Sequence, residues 1–144
     1  VYAVVTTDYK GMLLFSFANG KMAKVELANY ETKTNRKKLV GAYSDKAEIC
    51  DIKFMLEDRE IVAYADNNKV LALHTEKVPL KSTKSTQGVQ VMKLTKKGAK
   101  MCRVLWSEDS GIENLKYYST KNIPAVGSFL KKDDTQDKQL SLFE

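Results

Sequence analysis

One histidine, two cysteines and two prolines are all that 144 residues hold of those types, and the first two scarcities each exclude a kind of function. His74 has no nucleophile or paired carboxylate placed around it, so no catalytic residue is assigned and the chain is not expected to be an enzyme by itself. Cys50 and Cys102 do not form a metal-spaced cluster. Neither a metal nor a cofactor is expected, and the two thiols read as buried residues of a cytosolic protein. No apolar run approaches the roughly 18 residues that cross a bilayer, so no membrane association is expected. Nor does a basic segment followed by an apolar one open the chain, as an export signal would. The sequence starts at Val1 without an initiator Met, which suggests a piece of a longer protein.

What is present is an apolar fraction of 43%, enough for one core, and a net charge of +6. A basic balance favours a polyanionic partner, nucleic acid above all, provided the charges are organised. The organisation comes from a repeat. The segment from Phe15 to Val25 lies on the segment from Ala63 to Leu73, with Gly20 on Asn68 and Lys21 on Lys69, a shift of 48 positions. At the same shift Lys33 falls on Lys81 and Arg36 on Lys84, and one gap later Gly41 falls on Gly88. Further along, Cys50, Ile52 and Phe54 match Cys102, Val104 and Trp106. The cysteines are thus repeat partners, not bridge partners. Val1 to Val5 resembles the strands of Cys50 and Cys102, and an acidic turn follows each (Asp8, Glu57-Asp58, Glu108-Asp109). At the far end, Lys121 to Ala125 echoes Glu76 to Leu80.

The repeat predicts strands. Cys50, Ile52 and Phe54 alternate with Asp51 and Lys53, and Leu13, Phe15 and Phe17 alternate likewise, the period of half-buried strands. Asn19-Gly20 predicts a type I′ hairpin turn, with Asp66-Asn67-Asn68 serving the same purpose in the second copy. About four short strands per repeat is the pattern of a propeller blade, whose faces are buried only against neighbouring blades. The expected fold is all-β and propeller-like, with about three blades (units of about 1–47, 48–99 and a partial 100–130) that belong to a larger ring. Phe54 and Trp106 are expected in the core rather than as stacking platforms for single strands.

The stretch Val78-Pro-Leu-Lys-Ser-Thr-Lys-Ser-Thr-Gln-Gly-Val-Gln-Val-Met92, preceded by Lys69 to Leu73, resembles a blade of the C-terminal domain of the gyrase A subunit or topoisomerase IV, and the resemblance extends over residues 1–126 or so. It implies a β-pinwheel, a disc with strands exchanged between neighbours, whose basic rim binds and bends duplex DNA beside the cleavage core of a type IIA topoisomerase. It also implies an ATP-dependent parent enzyme, with its catalytic core and B subunit as partners, in the cytoplasm at the nucleoid. The gyrase box, a heptapeptide of the form Gln-(Arg/Lys)-Arg-Gly-Gly-Lys-Gly, is absent. Either it lies upstream of these residues, or the domain is of a weaker-wrapping kind; gyrase and topoisomerase IV both remain open.

Within that frame the DNA-binding residues are expected at Lys33, Arg36, Lys37 and Lys38 in one blade and Lys81 and Lys84 in the next. Ser82, Thr83 and Gln87 would donate hydrogen bonds to phosphate oxygens. Lys96-Lys97 and Lys131-Lys132 lack repeat partners and read as solvated turn and tail. Residues 131–144 are expected to be a flexible tail. It ends in Gln139, Leu140, Ser141, Leu142 and Phe143, which resembles the peptide that binds the replication sliding clamp. The alternative function is a propeller scaffold whose basic rim faces an acidic protein.

Overall fold

The structure, a computed structural model, describes residues 8–31, 42–94 and 97–134. Among them run β1 (Met12–Phe17), β2 (Lys21–Glu26), β3 (Ile49–Met55), β4 (Glu60–Ala65), β5 (Lys69–His74), β6 (Leu80–Lys81), β7 (Val89–Gln90), β8 (Met101–Trp106) and β9 (Ser128–Phe129). The hairpins β1–β2 and β4–β5 have bounds that differ by the 48 positions read from the sequence. Strand β3 lies antiparallel on β1, with Phe54 opposite Leu13, and β8 lies antiparallel on β4, with Trp106 opposite Ile61. The pairing of Phe54 with Trp106 therefore holds in space as it does in sequence.

Two sheets result, in the order β3-β1-β2-β6 with β7 also on β2, and β8-β4-β5-β9. Strands β6 and β7 follow the second hairpin in the chain yet complete the first sheet, β6 parallel and β7 antiparallel to β2. In the second sheet β9 takes the place of β7, and an isolated parallel bridge from Ala72 to Ser119 takes the place of β6. This exchange of edge strands makes the fold a β-pinwheel rather than a plain propeller.

The strands are more deeply buried than their alternation predicts. In β1, Leu13, Phe15 and Phe17 face one apolar cluster with Ala23 and Val25, while Leu14 on the opposite face joins a second cluster with Met22. That second cluster also holds Ile61, Ala63, Leu71 and Leu73 of the other sheet. The corresponding Val62, Tyr64, Val70 and Ala72 pack under Ile112 and Tyr118. Repeat-equivalent faces thus point the same way, and the sheets stack head to tail, which is why β1 is buried on both sides instead of one.

The hairpin turns differ from the type expected. Gly20 has φ +86° and Asn68 φ +69°, but Asn19 and Asn67 are not in the left-handed region. The Gly20 N–H donates to the Phe17 carbonyl at 3.0 Å, and the Asn68 N–H to that of Ala65 at 3.2 Å. A type I′ turn needs two left-handed residues; one, placed third in the loop, gives a type I turn closed by a bulge. Asn19 and Asn67 serve instead through their side chains, whose Oδ1 atoms accept from the Lys21 and Lys69 N–H groups at 3.1 Å each.

The matched aromatics and thiols divide: Trp106 and Cys50 pack partly buried against the central cluster, whereas Phe54 and Cys102 are exposed. Phe54 is exposed and Trp106 is partly buried, with the Arg59 guanidinium 3.9 Å from its ring centre and the Lys53 Nζ at 4.9 Å. Cys50 is partly buried and Cys102 is exposed. Strands β3 and β8 are sheet edges, so residues spaced for one face still meet solvent along the edge.

Candidate nucleic-acid interface

Strand β6 carries Lys81 beside Val25 on the outer edge of the first sheet, and the chain then loops through residues 82–88 before returning on the same edge as β7. Lys81, Ser82, Thr83 and Gln87 are exposed, as a phosphate-binding loop requires. Lys84 is partly buried, with its Nζ 5.9 Å from the ring centre of Tyr30. The Tyr30 hydroxyl donates to the Ala42 carbonyl, and burial pushes its pKa up to about 12, so it stays neutral beneath the lysine. Lys33, Arg36, Lys37, Lys38 and Gly41 lie outside the described residues, as do Lys96 and the tail residues Gln139, Leu140, Ser141, Leu142 and Phe143.

The loop is short because Gly88 lets it turn back against β2. Gly88 has φ +75°, and a Cβ there would stand 2.0 Å from the Met22 carbonyl oxygen. The second sheet has the same device. Gly127, with φ +84°, would place a Cβ 2.7 Å from the carbonyl oxygen of Val70, the repeat partner of Met22. Gly88 therefore corresponds to Gly127, and Leu80, bridged to Lys24, corresponds to Ser119, bridged to Ala72. The echo of Glu76–Leu80 in Lys121–Ala125 is displaced: Ser119, not Ala125, occupies the place of Leu80. Gly127 follows Gly88 by 39 positions, nine fewer than the shift of 48 between the hairpins, and that deletion hides the match from a constant-shift comparison.

In the corrected register Lys121 occupies the place of Ser82, exposed in the loop that edges the second sheet. The shift of 48 passes over it, yet the sequence holds a second signal. Residues 78–100 include Lys81, Lys84, Lys93, Lys96, Lys97 and Lys100 without one Asp or Glu, and residues 114–132 include Lys116, Lys121, Lys131 and Lys132, again without an acid. On the opposite edges acids and bases are paired. Asp51 pairs with Lys53 on β3, and Glu108 pairs with Arg59 beyond β8. Its own backbone N–H first, then the charge and hydrogen bond of Arg59, hold the Glu108 carboxyl below its usual pKa. The loops that form the exchanged edges, residues 82–88 and 120–127, carry no acid of their own.

Among the described residues no three His, Cys, Asp or Glu side chains come together to hold a metal ion. No helix there is long and apolar enough to cross a membrane. His74 ends β5, where its Nδ1 accepts from the Glu76 N–H.

No protein-family model matches the sequence, and no curated protein does. Solved structures do. The C-terminal domain of a DNA topoisomerase IV superposes with a TM-score of 0.61 at 23% identity, over 72% of this chain and 32% of that one. A DNA gyrase A C-terminal domain gives 0.57 at 23% identity, over 74% and 34%. The E. coli ParC C-terminal domain gives 0.55 at 12% identity, over 76% and 44%. The matched part spans less than half of each of these domains. The fold of this chain is that of the C-terminal β-pinwheel of type IIA topoisomerase A subunits.

Proposed function

We propose that the chain binds duplex DNA without sequence preference and bends it, presenting it to the catalytic core of a gyrase or topoisomerase IV. The observation that carries this reading is the recurrence, at equivalent edges of two stacked sheets, of an acid-free loop with exposed lysines: Lys81 in the first, Lys121 in the second. Lysines spaced by a repeat neutralise successive phosphates, and curvature follows when the duplex is held against more than one blade. Base edges need not be read, and contacts to phosphate suffice for a protein that handles arbitrary sequence. The pinwheel part reaches at least Asp134 rather than Leu130, because Lys131 and Asp134 hydrogen-bond the Tyr118 hydroxyl, and any tail follows it. The chain itself is accessory, its parent an ATP-dependent enzyme of the cytoplasm and nucleoid with a B subunit as partner.

Duplex affinity measured against salt tests the reading. Reversing the charges of Lys33, Arg36, Lys81 and Lys84 is expected to weaken binding and to lower the log–log slope by about 0.9 for each phosphate no longer neutralised. Adding Lys121→Glu should lower it again. Equal binding by wild type and variant removes the loop assignment. Absence of duplex binding by both favours an acidic protein as the partner of the basic edge.

The tail adds a second partner to the proposal. Leu140, Leu142 and Phe143 are suited to a hydrophobic groove on the sliding clamp, at the end of a polar tether. Retention of the full chain on immobilised clamp, with loss for a chain ending at Lys138, is the expected result. Equal retention of both rules the motif out.

A further inference from the structure

Phe129 is 62% exposed, more than any other described aromatic residue. It pairs with Lys69 in the register in which Gln90 pairs with Lys21. Gln90 acts as a clasp, because its Nε2 donates to the Asn19 and Met92 carbonyls at 2.8 Å each and ties β7 to the hairpin turn. A phenyl group makes no such bonds, so the second sheet has a solvent-facing apolar ring where the first is fastened.

The surroundings of the ring are cationic. The Lys69 Nζ lies 4.9 Å from the Phe129 ring centre. Two residues along the chain, the Lys131 Nζ lies 3.9 Å from the ring centre of Tyr117. Tyr117 meets Tyr118 edge-on at 4.9 Å, so its ring is engaged on two sides and Phe129 is the more open of the two. The nearby carboxylate of Asp134 accepts from the Tyr118 hydroxyl at 2.6 Å. Phe129 also closes the loop that carries Lys121, on the same edge as the proposed phosphate contacts.

We propose that Phe129 is an apolar wedge that stacks on a base step of the bound duplex while Lys69 and Lys131 contact the flanking phosphates. The inference rests on the DNA-binding reading and adds a mechanism for the bend. A phenyl ring inserted at a flexible pyrimidine–purine step partly unstacks it and kinks the duplex, and neighbouring lysines offset the charge of the compressed backbone. Stacking on a ring does not depend on base identity, which suits binding without sequence preference.

The test uses the full chain and a short duplex with dyes at both ends and a 2-aminopurine within a central TA step. Phe129→Gln places in the second sheet the residue that the first sheet already tolerates, and Phe129→Trp keeps a stacking surface. Wild type should bring the ends together and raise the 2-aminopurine fluorescence. F129Q should lose the fluorescence rise, bend less and bind roughly tenfold more weakly, with an unchanged salt slope because the phosphate contacts remain. F129W should restore the signal.

Bending by wild type without a 2-aminopurine response overturns the wedge and leaves the DNA-binding reading intact. So does an F129Q chain that binds and unstacks like wild type, as it would if the chain's own apolar tip covered Phe129. A wild type that binds no duplex removes both.

Discussion

Lys24 is the residue on which the joint between the two sheets turns. Its side chain is 4% exposed, and its Nζ lies 2.7 Å from Asp58 Oδ1 and 3.0 Å from the Thr75 carbonyl. The Thr75 hydroxyl donates to the same Asp58 oxygen at 2.8 Å. Partial burial alone would raise the Asp58 pKa, but the hydrogen bonds from Lys24 and Thr75, with the lysine charge, outweigh it and hold the carboxyl below its usual value. A depressed carboxyl contributes stability that is fully present above the unfolded value, about 3.9, and lost as pH falls through the folded one. Urea midpoints of wild type should therefore drop below about pH 4, and Asp58→Asn should flatten that part of the profile. Lys24→Met strands the carboxylate and is expected to cost about 3 kcal/mol at pH 7, read from the same midpoints. The cysteines behave differently from each other. Burial first, then the Asp51 charge, pushes the Cys50 thiol up to about 12. Cys102 is also raised but is exposed, so iodoacetamide at a pH of about 8 should label Cys102 well before Cys50; equal rates would contradict the burial seen at Cys50.

Among the turns and strands, glycine separates close approach from mere backbone freedom. Gly88 and Gly98 both have positive φ, but a Cβ on Gly98 meets nothing within 4 Å, whereas one on Gly88 strikes the β2 backbone. Gly98→Ala should cost about 1 kcal/mol, the left-handed penalty alone. Gly88→Ala should cost about 3 kcal/mol or more and pull β7 off β2, because overpacking against backbone adds to the strain. Comparable urea midpoints for the two variants would refute the close approach. Both hairpins are legible in the sequence because the shift of 48 preserves turn and strand together, and the strands of Cys50 and Cys102 because their alternation recurs at a shift of 52. The turn type is not, since Asn-Gly serves either one or two left-handed positions and only the backbone decides. Nor is the exposure of Phe54 where its partner Trp106 is partly covered: alternation reports which face a residue lies on, but not whether a neighbouring sheet covers that end of it. The second basic loop is hidden by the nine-residue contraction between Gly88 and Gly127, and Lys121 comes into register only when the glycines are matched by what they touch.

Over the whole molecule, stacking head to tail leaves two terminal faces, and each has a cover. Tyr9 and Tyr30 pack on the outer face of the first sheet, and Ile112, Leu115, Tyr118 and Leu130 on that of the second. Tyr118 is fully buried, donates to Asp134 and accepts from the Lys131 N–H, and its pKa is pushed up to about 12, chiefly by burial and next by that hydrogen bond to Asp134. Tyr118→Ala is expected to cost about 4 kcal/mol and to uncover Val62, Val70 and Ala72. Light scattering of the variant should then show self-association that wild type does not, because an apolar blade face is complementary to the next one. The exchanged edge has a further consequence for how such a protein grows. Residues 80–90 finish the sheet before the one whose hairpin they follow, so the unit of sequence and the unit of structure are out of phase. A duplicated segment inserted between copies supplies the missing edge of its upstream neighbour and takes its own edge from the copy downstream. Lengthening the array in this way leaves no internal sheet unfinished, and every insertion installs a fresh cationic loop on the blade already there.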